Sequence, residues 1–255
     1  MTLLDAMYAA WIVTVAPRIS KPQKPVCDNT LRRSSYGAIT KRARQVSNAL
    51  KAAGIDAGDR VATLAWNSHY HVESWYGIVG IGAVCHTLNP RLFPSQISYI
   101  INHAKDRLIL ADPACAALLA TLLPECPSVE RVIFLCAKDD LPDTPFAADA
   151  FEDWIAGHSV EVKWGLFDEQ SACGLCYTSG TTGNPKGVLY SHRSNYLHTL
   201  TTLQVGVHGL SACDTVLLMT PSITPTDGVS STQRQPLGRS WCCLDENWMG
   251  RACTS

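Results

Sequence analysis

The chain has 255 residues, 46% of them hydrophobic, and 21 Lys and Arg against 22 Asp and Glu leave a formal net charge of -1. That is enough apolar material for one large core or two small ones. It supplies no bulk positive charge to make nucleic acid the default partner, and no apolar run approaches the length of about 20 residues that spans a bilayer.

Residues 1–30 form a poorly defined N-terminal segment. Leu3 to Val15 is mildly apolar, but Asp5 interrupts it and no basic start precedes it, so no signal peptide is expected and the chain is expected to be cytoplasmic. Ser20 to Pro25 carries two prolines and reads as an extended surface segment. From Ser35 the pattern sharpens. Ile39, Ala43, Val46, Leu50 and Ala53 recur at helical spacing, and Gly54 closes the helix. The basic cluster Lys41 to Arg44 is expected mostly on its wet side. Arg60 to Trp66 reads as a buried strand and His71 to Val84 as a helix, with Gly77, Gly80 and Gly82 serving close packing because their spacing is not that of a dinucleotide loop. Cys85 to Leu88 is the next strand, Pro94 to Asn102 a helix, Arg107 to Ala111 a strand, Ala114 to Leu123 a helix and Arg131 to Cys136 a strand. This alternation predicts an α/β fold with a mainly parallel sheet and flanking helices. Between Ala137 and Glu169 the pattern loosens into an expected surface excursion, with a short helix at Phe151 to Ala156.

Tyr177 to Gly187, YTSGTTGNPKG, carries the chemistry. Gly180 and Gly183 permit backbone angles that turn consecutive amides inward on an anion. Thr178, Ser179, Thr181 and Thr182 add hydroxyl donors, Lys186 adds a point charge, and Pro185 presets the exit from the turn. A Walker loop would need glycine where Pro185 stands. The apolar residues Cys173 to Tyr177 before the loop and Val188 to Tyr190 after it predict strand, loop, strand. A helix from Ser191 to Gln204 and a strand from Thr215 to Thr220 follow. His192-Arg193 opens that helix, where its donors serve either an anion or packing. His69, His71 and His86 lack a partner at convincing metal spacing and are assigned to core or surface. The eleven cysteines are not read as a disulfide framework: Cys85, Cys136, Cys173 and Cys176 lie in apolar strand-like runs, Cys173-Gly-Leu-Cys176 has no second pair at zinc spacing, and Cys242, Cys243 and Cys253 crowd the atypical last stretch.

YTSGTTGNPKG resembles the phosphate-binding signature of the adenylate-forming (AMP-binding) enzymes. Gly187 to Ser194, Gly58 to Trp66 and Gly82 to Pro90 are most similar to the fatty acyl-CoA synthetase branch. The resemblance covers about Leu31 to Pro221, giving a partial AMP-binding domain at 31–221. It implies ligation of a carboxylic acid to coenzyme A with ATP and Mg2+. It also implies that Thr178, Ser179, Gly180, Thr181, Thr182, Gly183 and Lys186 hold ATP phosphates, with Thr178 the position that touches Mg2+.

Beyond Pro221 the resemblance stops: the chain shows no Tyr-Gly-x-Thr-Glu segment, ribose aspartate or C-terminal lysine domain of that family. Three readings follow: a synthetase fragment inactive alone, a non-catalytic phosphate-binding or regulatory module, and another adenylate-forming ligase. Self-association is expected, because a parallel sheet without its later strands leaves an edge uncovered. Residues 222–255 form an atypical tail, and Ile223 to Ser255 is expected to be out of frame. Read two bases later, Trp241-Cys-Cys-Leu244 yields an apolar residue, valine, leucine, and proline or serine. With permitted codons, the shifted tail becomes a histidine-aromatic stretch and a strand ending in Leu-Pro-Gly.

Overall fold

The computed structural model describes residues 34, 36–178, 184–207, 209, 215–218 and 240–243. The N-terminal segment 1–30, loop residues Ser179, Gly180, Thr181, Thr182 and Gly183, and the tail apart from 240–243 lie outside the described residues.

The elements in chain order are α1 (Tyr36–Ala52), β1 (Arg60–Leu64), α2 (His69–Gly80), β2 (Val84–Thr87), α3 (Pro94–Ala104), β3 (Leu108–Ala111), α4 (Ala116–Leu122), β4 (Arg131–Phe134), β5 (Ala148–Ala150), α5 (Phe151–Ile155), β6 (Ala172–Thr178), β7 (Lys186–Ser191), α6 (His192–Leu203), β8 (Thr215–Leu218) and β9 (Ser240–Cys243). Seven strands form one sheet in the order β5-β4-β3-β1-β2-β6-β7. Every neighbouring pair in it is parallel except the antiparallel pair β6 and β7. β8 and β9 form a separate two-stranded parallel sheet.

Strand periodicity distributes the core over both faces of the large sheet. Val61 of β1 packs with Val46 and Leu50 of α1, Ile78 of α2 and Phe151 of α5. Its neighbours Ala62 and Leu64 pack on the other face with Ile97 and Ile101 of α3, Leu119 of α4 and Phe134 of β4. With both faces covered, the central strands are buried almost continuously, as parallel sheets require. The α2 glycines serve close packing, as expected. A Cβ on Gly77 would lie 2.5 Å from Val46, and one on Gly80 2.5 Å from the Trp164 ring.

Two expectations are corrected. The basic cluster of α1 does not lie mostly in water. Lys41 is exposed, but Arg44 lies over the Trp164 ring at 5.6 Å, and Arg42 Nε donates to Glu73 Oε1 at 2.8 Å. Arg42 also donates to both oxygens of Glu152 at 3.0 Å, and Tyr70 Oη donates to Glu152 Oε1. The Glu73 side chain is fully buried, so helical periodicity put Arg42 on the dry boundary where a carboxylate needs a cation. Residues 137–169 are likewise no surface excursion. β5 adds an edge strand, Phe151 and Ile155 enter the core, and Trp164 Nε1 donates to buried Ser47 Oγ. The sequence there lacks a long period because its elements are three and five residues long.

At the other edge, Leu189 of β7 and Leu197 and Leu200 of α6 are exposed. Removing Arg42 leaves buried Glu73 without its guanidinium. Arg42→Ala should therefore cost about 3–5 kcal/mol in denaturant unfolding, while Arg42→Met combined with Glu73→Gln should recover most of it. A loss of under about 0.5 kcal/mol in the single variant would show that the pair does not hold α1 on α2.

Candidate phosphate-binding site

The site is built on strand β6. β6 is parallel to β2, with Cys85 opposite Gly174 and Thr87 opposite Cys176, so its last residue emerges at the carboxyl edge of the sheet beside the ends of β1 and β2. That edge is where ligands sit in open α/β sheets. The chain returns as β7, antiparallel, with Thr178 opposite Lys186 and Tyr177 opposite Gly187. The expected strand, loop, strand arrangement is therefore present. Thr178 and Lys186 are both exposed at the hairpin mouth, and neither side chain has a hydrogen-bond or ion-pair partner among the described residues. A hydroxyl and an ammonium facing each other suit a phosphate oxygen. Thr178 has one side-chain oxygen, fewer than a magnesium ion requires by itself. Among the described residues no group of three His, Cys, Asp or Glu could hold a metal by itself.

The cysteine and helix-start expectations resolve toward packing. Cys85, Cys136, Cys173 and Cys176 are buried and in no disulfide, and burial pushes the Cys173 thiol up to about 12. Asn195 Nδ2 donates to Cys173 Sγ at 2.8 Å. His192 lies 4.4 Å from the Phe167 ring, and burial pulls its imidazole down to about 4, which leaves it neutral at pH 7. Arg193 pairs with Glu169. The start of α6 is used for packing and ion pairing.

Sequence reasoning missed the groups beneath the hairpin. His86 Nδ1 lies 2.9 and 2.8 Å from the two carboxylate oxygens of Asp106, with both side chains fully buried. His103 Nδ1 lies 2.6 Å from Tyr177 Oη. No spacing signals either pair, because strand order alone brings β2, β6 and the end of α3 together. Arg91, which follows β2 at the same carboxyl edge, lies over the Trp66 ring at 5.4 Å. His71 Nε2 meets Thr63 Oγ1 at 3.1 Å inside the core, consistent with the core assignment.

The family model described as AMP-binding enzyme matches residues 19–225. The chain is 42% identical over 196 residues to the 3-methylmercaptopropionyl-CoA ligase of Ruegeria lacuscaerulensis, a match covering 76% of this chain and 36% of that protein. It is 43% identical over 190 residues to the medium-chain-fatty-acid–CoA ligase of Ectopseudomonas oleovorans, covering 74% and 35%. It thus spans roughly a third of the length of these curated relatives. In fold it is similar to the anthranilate CoA ligase AuaEII crystallised with anthranoyl-AMP, with a TM-score of 0.74 and 26% identity over 83% of this chain and 40% of that one. Matched by the family model over most of its length and related to acyl-CoA ligases in sequence and fold, the chain belongs to the AMP-binding enzymes, the family of adenylate-forming ligases.

Proposed function

We propose that this chain supplies the phosphate grip of an ATP-dependent acyl-CoA synthetase acting on a carboxylic acid of the fatty-acid class. The carrying observation is the pairing of Thr178 with Lys186 across the mouth of a hairpin at the carboxyl edge of the sheet. In the whole enzyme a carboxylate oxygen attacks the α-phosphorus of ATP, the bond to the β-phosphate oxygen breaks, and pyrophosphate leaves. The thiol of coenzyme A then attacks the acyl carbon, forming the thioester and releasing AMP. Magnesium would neutralise part of the phosphate charge.

This chain's own residues act on the leaving group. Negative charge grows on the bridging oxygen as the bond breaks, and donors already aimed there stabilise it without reorganising. Lys186 would contribute the charge, Thr178 a hydroxyl that could serve a magnesium ion, and Ser179, Gly180, Thr181, Thr182 and Gly183 the remaining donors. The chain as written is proposed to bind the phosphates without completing the reaction, because its sequence contains no Tyr-Gly-x-Thr-Glu segment. The reading of Ile223 to Ser255 as out of frame rests on its atypical composition, with Trp241-Cys-Cys243, Trp248-Met-Gly250 and Cys253. Transcript sequence across Thr220 to Ser255 should show the shifted frame running on to Tyr-Gly-x-Thr-Glu; a shifted frame closed by stop codons rules this out.

Carboxylate-dependent exchange of labelled pyrophosphate into ATP separates the steps. The 255-residue chain should bind pyrophosphate and show no exchange; exchange by the pure chain contradicts the proposed division of labour. In an intact synthetase carrying this segment, Lys186→Ala should slow exchange by about a hundredfold or more. It should spare thioester formation from supplied acyl-adenylate, because pyrophosphate has already left. Equal losses in both half-reactions would remove Lys186 from the leaving-group role.

A further inference from the structure

Among the described residues β7 is the terminal strand of the sheet with β6 beside it, so the end of the hairpin is a part of the sheet prone to fray. Tyr177 lies at that end. Its ring crosses the partner strand closely enough that a Cβ on Gly187 would lie 3.1 Å from Tyr177 Cζ and 3.3 Å from its hydroxyl. The hydroxyl reaches His103 in the last turn of α3, 2.6 Å from Nδ1, and His103 stacks on Tyr99 with ring centroids 5.5 Å apart. Burial, with the nearby Asp106 charge, pushes this hydroxyl up to about 12, so it keeps its proton at neutral pH and can donate to His103.

On its other side the Tyr177 ring centroid lies 5.3 Å from that of His86. His86 is itself fixed, its Nδ1 held by both oxygens of Asp106. In the neutral ring Nδ1–H donates to the carboxylate and leaves a lone pair on Nε2, which is buried without a hydrogen-bond partner. The protein therefore keeps a polar ring in its core, held by a carboxylate and pressed against the residue that precedes Thr178.

We propose that Tyr177 is the positioning residue of the phosphate hairpin: bound by His103 of α3, braced on the Asp106-held His86 and laid across Gly187, it fixes the approach of Thr178 to Lys186. This rests on reading the hairpin as a phosphate grip. It couples anion binding to the seating of α3, an element that contributes no phosphate donor. Tyr177 itself touches no substrate in this account and acts through the two residues it holds in register.

The test uses the full chain and two readouts. Tyr177→Phe keeps the ring and drops the hydroxyl, His103→Ala drops its partner, and His103→Asn retains polar atoms near the Nδ1 position. Without ligand, amide exchange at residues 176–178 and 186–190 should rise roughly five-fold in Y177F and in H103A, the scale of one hydrogen bond. Exchange in β1 and β3 should stay unchanged. The double variant should be no worse than either single one, and H103N should stay within about two-fold of the starting chain. Pyrophosphate affinity by calorimetry should fall by the same factor as exchange rises. Unaltered exchange in Y177F, additive losses in the double variant, or faster exchange with undiminished pyrophosphate affinity would each overturn the positioning role. Failure of the unsubstituted chain to bind pyrophosphate would instead refute the phosphate reading, and the exchange data would then decide separately whether Tyr177 orders the hairpin.

Discussion

Strand β6 is bonded to neighbours of opposite sense, β2 in parallel and β7 in antiparallel register, and the site depends on that reversal. The parallel neighbour sends the loop out at the carboxyl edge of the sheet. The antiparallel neighbour returns the chain at once, so Thr178 and Lys186 become cross-strand partners with Cα atoms about 5 Å apart. A parallel return would have needed a crossover helix and would have carried Lys186 to the opposite edge. Charge alone does not make such a site tight. Two unit charges 4 Å apart in water attract by only about 1 kcal/mol, and Lys186 is exposed. The proposed phosphate grip therefore needs several fixed donors to share the anion, which the hydroxyls and glycines between Thr178 and Lys186 supply in the sequence.

The rest of the described chain holds β6 in place. Its strand neighbours sit between two apolar layers, and the layer formed by α1, α2 and α5 is joined by Arg42, which reaches from α1 to Glu73 of α2 and Glu152 of α5. Burial opposes the guanidinium charge, but the two carboxylates more than offset this and hold Arg42 above its usual range. The other layer seats α3, whose last turn touches Tyr177 through His103. α3 is thus linked to the β6–β7 hairpin through Tyr177, a side chain reaching from the sheet.

Most of the architecture was legible because its signals are periodic. The apolar spacing of Ala43, Val46 and Leu50 located α1, and the alternation of strand and helix predicted the parallel sheet. The hairpin was legible from the glycines and hydroxyls lying between two apolar runs. The surroundings of Arg42 were not, because a lysine or arginine on a helix looks solvated until a carboxylate from another element is placed against it. The same holds for His86 and Asp106, which become partners only through packing of β2 against the turn that follows α3. The short helix at Phe151–Ile155 was legible, but strand β5 at Ala148–Ala150 was missed because three residues are too few to show a period.

An amide-resolved NMR titration of the full chain with pyrophosphate tests the central claim most directly, because it reports where the anion sits without requiring catalysis. The account predicts saturable shifts concentrated in residues 178–187 and weakened by Lys186→Ala. Shifts centred elsewhere on the sheet, or hairpin shifts that Lys186→Ala leaves unchanged, would contradict it.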